Sequence, residues 1–342
     1  MELLTFAPQD PRTLFPSLAE TVQVRNLGRG SRLRHLFRLA AYLRERRPAV
    51  LLSAGLRPNL IAAACKRLLR PPGRLFLSLH NSLSPGLGEL GSIRRRLRIR
   101  GMRATYPAAD GLVCVSAGVE EDLRRYLDPP SGKLHVIYNP VLSPQQIGRG
   151  PAVPPHPWLE PGQPPLILGA GRLTRQKDFP TLIRAFALVA AQLDCRLMIL
   201  GEGQERSALE GLVAELGLSD RVALPGFVTD AMGYMGHARL FVLSSAWEGF
   251  GMVLVEAMAM GTPVVSTDCP SGPREILRDG ELGPLVPVSH PEALASAMLQ
   301  VLDAPPDPAR LQQRAEDFTS DRAAEWYLRL MFPSEEAGHD CC

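Results

Sequence analysis

Short apolar runs alternate with amphipathic stretches along the whole chain. In the first half, residues 22–25, 49–53, 74–79, 111–115 and 134–138 read as short buried strands. Between them, 33–47, 59–69 and 117–127 carry apolar residues at helical spacing. The second half repeats the alternation. Strands are predicted there at 166–169, 196–200, 221–224, 240–244 and 263–266, and helices at 180–192, 205–216, 253–260 and 291–303. Strand and helix in turn predict parallel sheets covered on both faces. Residues 141–165, rich in Pro, Gly and Gln, break the rhythm and mark a linker. The expected class is α/β: two Rossmann-like doubly wound domains facing a cleft, with ligands at the C-terminal ends of the strands.

Composition narrows this picture. Apolar residues make up 45% of the 342, enough for packed cores. Every apolar run is interrupted before it could span a bilayer. The opening Met-Glu-Leu-Leu-Thr lacks the basic start of a secretory leader. Six scattered cysteines show no metal-type spacing, so a reducing cytoplasm is the expected location. The net charge of +3 conceals an asymmetry. Residues 1–150 carry 24 Lys/Arg against 10 Asp/Glu, and residues 151–342 carry 14 against 25. The halves are therefore +14 and −11, which suggests different partners for two domains. A basic first half suits anionic lipid, a phosphorylated acceptor or nucleic acid.

Chemistry concentrates in the second half. Glu248-Gly-Phe-Gly251 follows an apolar strand and opens a helix that contains Glu256. A glycine-rich turn at a helix N-terminus favours an anion, and the two acids can meet different parts of one ligand. The plain alternative is a capping acid and a surface helix acid. Gly169-Ala-Gly-Arg-Leu-Thr-Arg-Gln-Lys-Asp178 follows another strand. It is either an ordinary loop with surface charges or a diphosphate site using Gly171, Arg172 and Lys177. Its spacing matches neither phosphate-loop pattern. Gly201-Glu-Gly203 is a tight turn, or a turn lying against a nucleotide base. Asp268–Leu277 offers Ser271-Gly272 to a phosphate, with Glu275 as a helix-start acid. In the first half, His80 and Asn81 end a predicted strand, and a lone histidine there is either structural or cleft-facing. The basic run 93–100, with Arg94, Arg95, Arg96 and Arg98, is either a solvated helix face or a contact for lipid headgroups or a lipid-phosphate acceptor. No interleaved aromatics point to nucleic acid.

Together these residues resemble the retaining glycosyltransferases of the GT-B fold, family 4. The likeness spans nearly all of 1–330 and rests most on Gly171-Arg-Leu-x-x-Gln-Lys-Asp178, Gly201-Glu-Gly203, Leu224-Pro-Gly-Phe227, Glu248-Gly-Phe-Gly251 with Glu256, and Gly261-Thr-Pro-Val-Val265. It implies a nucleotide-sugar donor in the second domain, held by Gly171, Arg172, Lys177, Gly201, Gly203, Glu248, Gly249, Phe250, Gly251 and Glu256. Arg172 and Lys177 would neutralise the diphosphate, Glu256 would bind the ribose, and Glu248 would contact the transferred sugar. His80 and Glu248 are the implied catalytic pair. No Asp-x-Asp occurs, so no metal and no cofactor beyond the donor substrate are expected. The implied acceptor is a glycan or a lipid-phosphate. Arg94, Arg95, Arg96 and Arg98 would lie on the acceptor or membrane side, touching an anionic membrane peripherally at the inner face of the plasma membrane. No nucleic-acid partner is expected.

The resemblance divides the chain at 1–145, a linker 146–165, a nucleotide-sugar domain 166–320, a helix 321–331 packing back on the first domain, and a tail 332–342. One departure stands out. Residues 1–7 align with the family's second strand, leaving the first βα unit, roughly 30 residues, without a counterpart. That implies either a start further upstream or a substrate-limited or non-catalytic relative. Three functions follow: a transferase for cell-surface polysaccharide or lipopolysaccharide, a non-catalytic nucleotide-sugar binder, or a basic nucleic-acid binder.

Overall fold

The computed structural model describes residues 1–6, 22–130, 132–148 and 156–333. Part of the expected linker, 149–155, and the tail from 334, with Cys341 and Cys342, lie outside the described residues. Two compact units emerge: Met1–His80 with Gly86–Cys114 and Asp122–His135, and Asn81–Pro85 with Val115–Glu121 and Val136–Cys342. The short segments at 81–85 and 115–121 therefore group with the second unit. So does the last helix, Ser320–Met331.

In the first unit, β1 (Glu2–Thr5) pairs in parallel with β2 (Gln23–Asn26). A separate sheet runs β3 (Val50–Ala54), β4 (Arg74–Leu79), β5 (Gly111–Cys114) and β6 (Leu134–Val136), in that order. The β3–β4 and β4–β5 pairs are parallel, as unbroken apolar runs predict. Helix Leu56–Leu69 connects β3 to β4 and is fixed by buried Asn59, whose amide donates to Ser78 O at 2.8 Å.

The second unit holds one six-stranded sheet. Its strands are β7 (Leu166–Ala170), β8 (Arg196–Leu200), β9 (Val222–Gly226), β10 (Leu240–Leu243), β11 (Val264–Thr267) and β12 (Leu285–Val286). Their order is β12-β11-β10-β7-β8-β9, all parallel. Helices Phe179–Ala190 and Pro291–Asp303 pack on each other over this sheet. Phe179, Phe186, Leu182 and Met298 fill the layer with almost no exposure. Each such side chain contributes about 1.5–3 kcal/mol of burial.

Helices at Ala231–His237 and Pro308–Ala315 and the two-residue β12 were not legible as elements. Ala231–His237 contains two glycines, and the buried stripe of Pro308–Ala315 is only the pair Leu311 and Ala315, too short to register as a helical period. No helix among the described residues is long and apolar enough to cross a membrane.

Candidate active site

The order of the second sheet reverses at β7, with β8 on one side and β10 on the other. In open parallel sheets such a switch point leaves a crevice at the C-terminal strand ends, because the two outgoing loops diverge. Leu240 and Phe241 pair with Ile167 and Leu168, so the loops following β7 and β10 are neighbours. One carries Lys177 and the other Glu248.

These two side chains meet. Lys177 Nζ lies 2.6 Å from Glu248 Oε1, and both groups are largely shielded from water. Ser245 Oγ donates to the same carboxylate oxygen at 2.7 Å. Ser244 Oγ donates to Lys177 O at 2.7 Å, and Ala246 N donates to Gln176 O at 2.8 Å, which ties the loops together. A buried charge is tolerable only with such partners. The sequence alone assigned the two residues to separate parts of a ligand and did not foresee their pairing.

Glycines shape the cradle where backbones touch. A Cβ on Gly201 would fall 2.0 Å from Gly171 O. At Gly272, with φ +95°, it would fall 1.8 Å from Phe250 O. Both positions therefore exclude any side chain unless the loops move. Gly272→Ala is expected to destabilise the second unit by about 1–3 kcal/mol, read from the midpoint of urea unfolding.

Gly251, with φ +96°, caps helix Met252–Ala259. Leu254 N already donates to Gly251 O at 3.0 Å, which leaves the N–H groups of Met252 and Val253 at the helix start to meet an anion. Glu256 sits in the same helix, partly buried. Burial raises its carboxyl pKa above the usual range, and the Lys177 ammonium acts in the opposite direction. Its folded pKa thus exceeds its unfolded one, and ionisation at higher pH opposes folding. Glu256→Gln is accordingly expected to raise the unfolding temperature near pH 7. The loss of stability that this carboxylate causes as pH rises from acid should shrink too, as thermal unfolding at several pH values would show. Buried Cys269 is also close, but its thiol is pushed up to about 12, chiefly by burial and then by Glu248. It stays protonated at neutral pH and is a poor nucleophile.

A second group braces the Glu248 loop. Ser116, fully buried, donates to Gly249 O at 2.8 Å. Ser82 Oγ lies 2.7 Å from Ser271 Oγ and donates to Glu248 O at 3.4 Å. Glu275 accepts from Ala117 N and Gly118 N at 2.8 and 2.9 Å, which turns the expected helix-start acid into a cap for another segment. Phe250 stacks on Tyr138 with ring centroids 5.4 Å apart. Val115-Ser116 is among the weaker family matches in the first half, but neither Ser116 nor Ser82 had been given a positioning role. The signal for that role is only a small polar residue just past a strand end.

Among the candidates, the structure joins Lys177 to Glu248 and packs the Gly171, Gly201 and Gly203 turns beside them. Leu173 N donates to Glu202 O at 2.9 Å, which fixes the last of these turns. Arg172 is exposed. His80 belongs to the first unit, at the end of β4, with Nε2 3.0 Å from Ser78 Oγ. Arg94, Arg95, Arg96 and Arg98 lie on helix Ser92–Thr105 of that unit. Among the described residues, no group of three or more His, Cys, Asp or Glu could hold a metal ion.

Comparison with known proteins gives two family-model matches: "Glycosyltransferase Family 4" over residues 2–141 and "Glycosyl transferases group 1" over residues 155–318. The lipopolysaccharide core biosynthesis glycosyltransferase LpsE of Rhizobium meliloti is 35% identical over 176 residues, covering 50% of this chain and 51% of its own. A Campylobacter jejuni enzyme is 34% identical over 200 residues, covering 58% and 52%. It is named as an N-acetylgalactosaminyltransferase acting on a diphospho-undecaprenol-linked sugar. The chain spans about half the length of these curated relatives. The crystal structure of Anabaena HepE in complex with UDP superposes with a TM-score of 0.73 at 22% identity, covering 94% of this chain and 87% of that one. At that identity the likeness shows the fold.

Proposed function

Because this chain belongs to the family 4 glycosyltransferases of the GT-B fold, we propose that it moves a sugar from a nucleotide-sugar to a glycan or lipid-linked acceptor. The observation that carries this reading is the Lys177–Glu248 pair at the sheet's switch point, beside the start of helix Met252–Ala259. A departing diphosphate needs positive charge and N–H donors in place before the bond breaks. Lys177, exposed Arg172 and the helix N-terminus supply them. Glu248 meets the sugar, and Glu256, already costly to ionise, gains hydroxyl donors from a ribose.

The transfer retains anomeric configuration. The bond from the anomeric carbon to the diphosphate oxygen breaks, and the acceptor oxygen bonds to the same face. The acceptor proton leaves with the diphosphate. His80 is the second proposed catalytic residue. The donor is a hexosyl or N-acetylhexosaminyl nucleotide, and no metal bridges it. Names of the relatives support cell-surface polysaccharide or lipopolysaccharide assembly as the setting. Among the described residues four cysteines are free and buried, and a reducing cytoplasm is the location this reading takes.

The test is nucleotide release from a panel of UDP-, GDP- and ADP-sugars, with the anomeric configuration of the product read by proton NMR. Release from one base class with a retained anomer supports the reading. An inverted anomer contradicts the stereochemistry, and no release from any donor contradicts the activity.

A further inference from the structure

We propose that a cavity in the first unit binds a small soluble phosphate monoester with a flat or apolar body. The proposal rests on this cavity and not on the donor site, so either can fail alone. The cavity measures about 290 Å³. Its walls come from residues 103–112 and 124–133, all of them within the first unit.

The cavity sits at the start of β5, not at the strand ends where ligands of such sheets usually gather. Leu112, one of its wall residues, pairs with Leu77 of β4. His80 lies three residues beyond Leu77, past the other end of that strand, so roughly 10 Å separates the two levels. Buried Tyr106, Leu112 and Leu127 give the cavity an apolar wall. Pro129 and Pro130 close another side, and two successive prolines restrict the backbone before any ligand arrives. Two side-chain ties fix the frame. Arg103 Nε donates to Tyr126 O at 2.7 Å, which joins helix Ser92–Thr105 to the segment after helix Ala117–Arg124. Lys133 Nζ donates to Ala109 O at 2.7 Å and to Pro107 O at 3.1 Å.

Charge selects the ligand. Arg103, Arg124, Arg125 and Lys133 line the cavity against one acid, Asp128. The three arginines are exposed, so the cations form the rim and the apolar side chains the depth. A guanidinium carries five N–H donors, so an arginine already bonded to a protein acceptor can still take a phosphate oxygen. Arg103, with its Nε on Tyr126 O, is such a case. Four cations against one acid favour a dianion, which a phosphate monoester largely is at neutral pH and a carboxylate is not. A volume of 290 Å³ lies at the small end of ligand pockets, which run from about 300 to 1,000 Å³. It suits one phosphate and one ring and leaves out a whole nucleotide-sugar.

The experiment is isothermal titration calorimetry of the full chain with phenyl phosphate and with phenol. Phenyl phosphate should bind saturably and at least about tenfold tighter than phenol. Arg103→Gln and, separately, Arg125→Gln should each weaken it by about tenfold, the low end for a charge-assisted hydrogen bond because both side chains are exposed. Arg125→Gln leaves the tie from Arg103 to Tyr126 intact, so it tests the charge even where Arg103→Gln loosens the frame. Lys177→Ala should bind the probe as the parent does, since Lys177 belongs to the second unit. No saturable binding overturns the proposal. So does equal affinity for phenol, unchanged binding in both arginine variants, or loss of binding in Lys177→Ala alone. Displacement of the probe by phosphatidic acid vesicles overturns it too, because the bound ester would then be a lipid headgroup.

Discussion

Replacing Glu248 with Gln should reduce sugar transfer by about 10²–10³-fold while leaving nucleotide binding in place. Losing one preorganised electrostatic partner at the reacting centre has an effect of that order. The amide keeps the shape of the carboxylate and can still accept from Ser245. What disappears is the negative charge beside Lys177 and the group assigned to the transferred sugar. The cation then faces the diphosphate without competition, so nucleotide affinity should hold or rise. Turnover and nucleotide dissociation constants measured on the same sample decide it. Unchanged turnover would remove Glu248 from the chemistry.

Replacing Lys177 with Ala should act on stability and donor affinity together. Glu248 is 7% exposed and would be left with Ser245 at 2.7 Å and the Gln176 amide at 3.5 Å, neither of them charged. Stranding a buried charge in this way costs about 3–5 kcal/mol, and the residual exposure of the pair places the expected loss near the lower end. Nucleotide affinity should fall by about 10²-fold, since a charge-assisted contact to phosphate is lost. The double variant Lys177→Met with Glu248→Gln should be more stable than Lys177→Met alone, because it strands no charge. If the double variant lost the sum of the two single effects, the pair would not be coupled.

The sequence carried much of the architecture because parallel strands in covered sheets are apolar along their length. β4 and the helix Pro291–Asp303 fall where the pattern places them. Glu248 and Lys177 stood out locally, one beside a Gly-Phe-Gly turn and one after a glycine-flanked strand. Their contact did not, since it depends on β10 lying beside β7, and strand order leaves no local mark. The contacts of Ser116 and Ser82 were hidden for a similar reason. A buried hydroxyl bonding a carbonyl 133 positions away has no periodic signature. The helix at Ser92–Thr105 was legible as a basic face, but not that Ile93 and Leu97 point outward.

The central claim is that the second unit binds a nucleotide-sugar at the loops that follow β7 and β10. Its most direct test is a thermal-shift titration with UDP, GDP and ADP, on the parent chain and on Lys177→Ala. A ligand that binds the folded state raises the unfolding temperature by mass action, by an amount set by its concentration over its dissociation constant. The account predicts a saturable rise with one base class, strongly reduced in Lys177→Ala. No rise with any nucleotide, or an equal rise in both proteins, would contradict it.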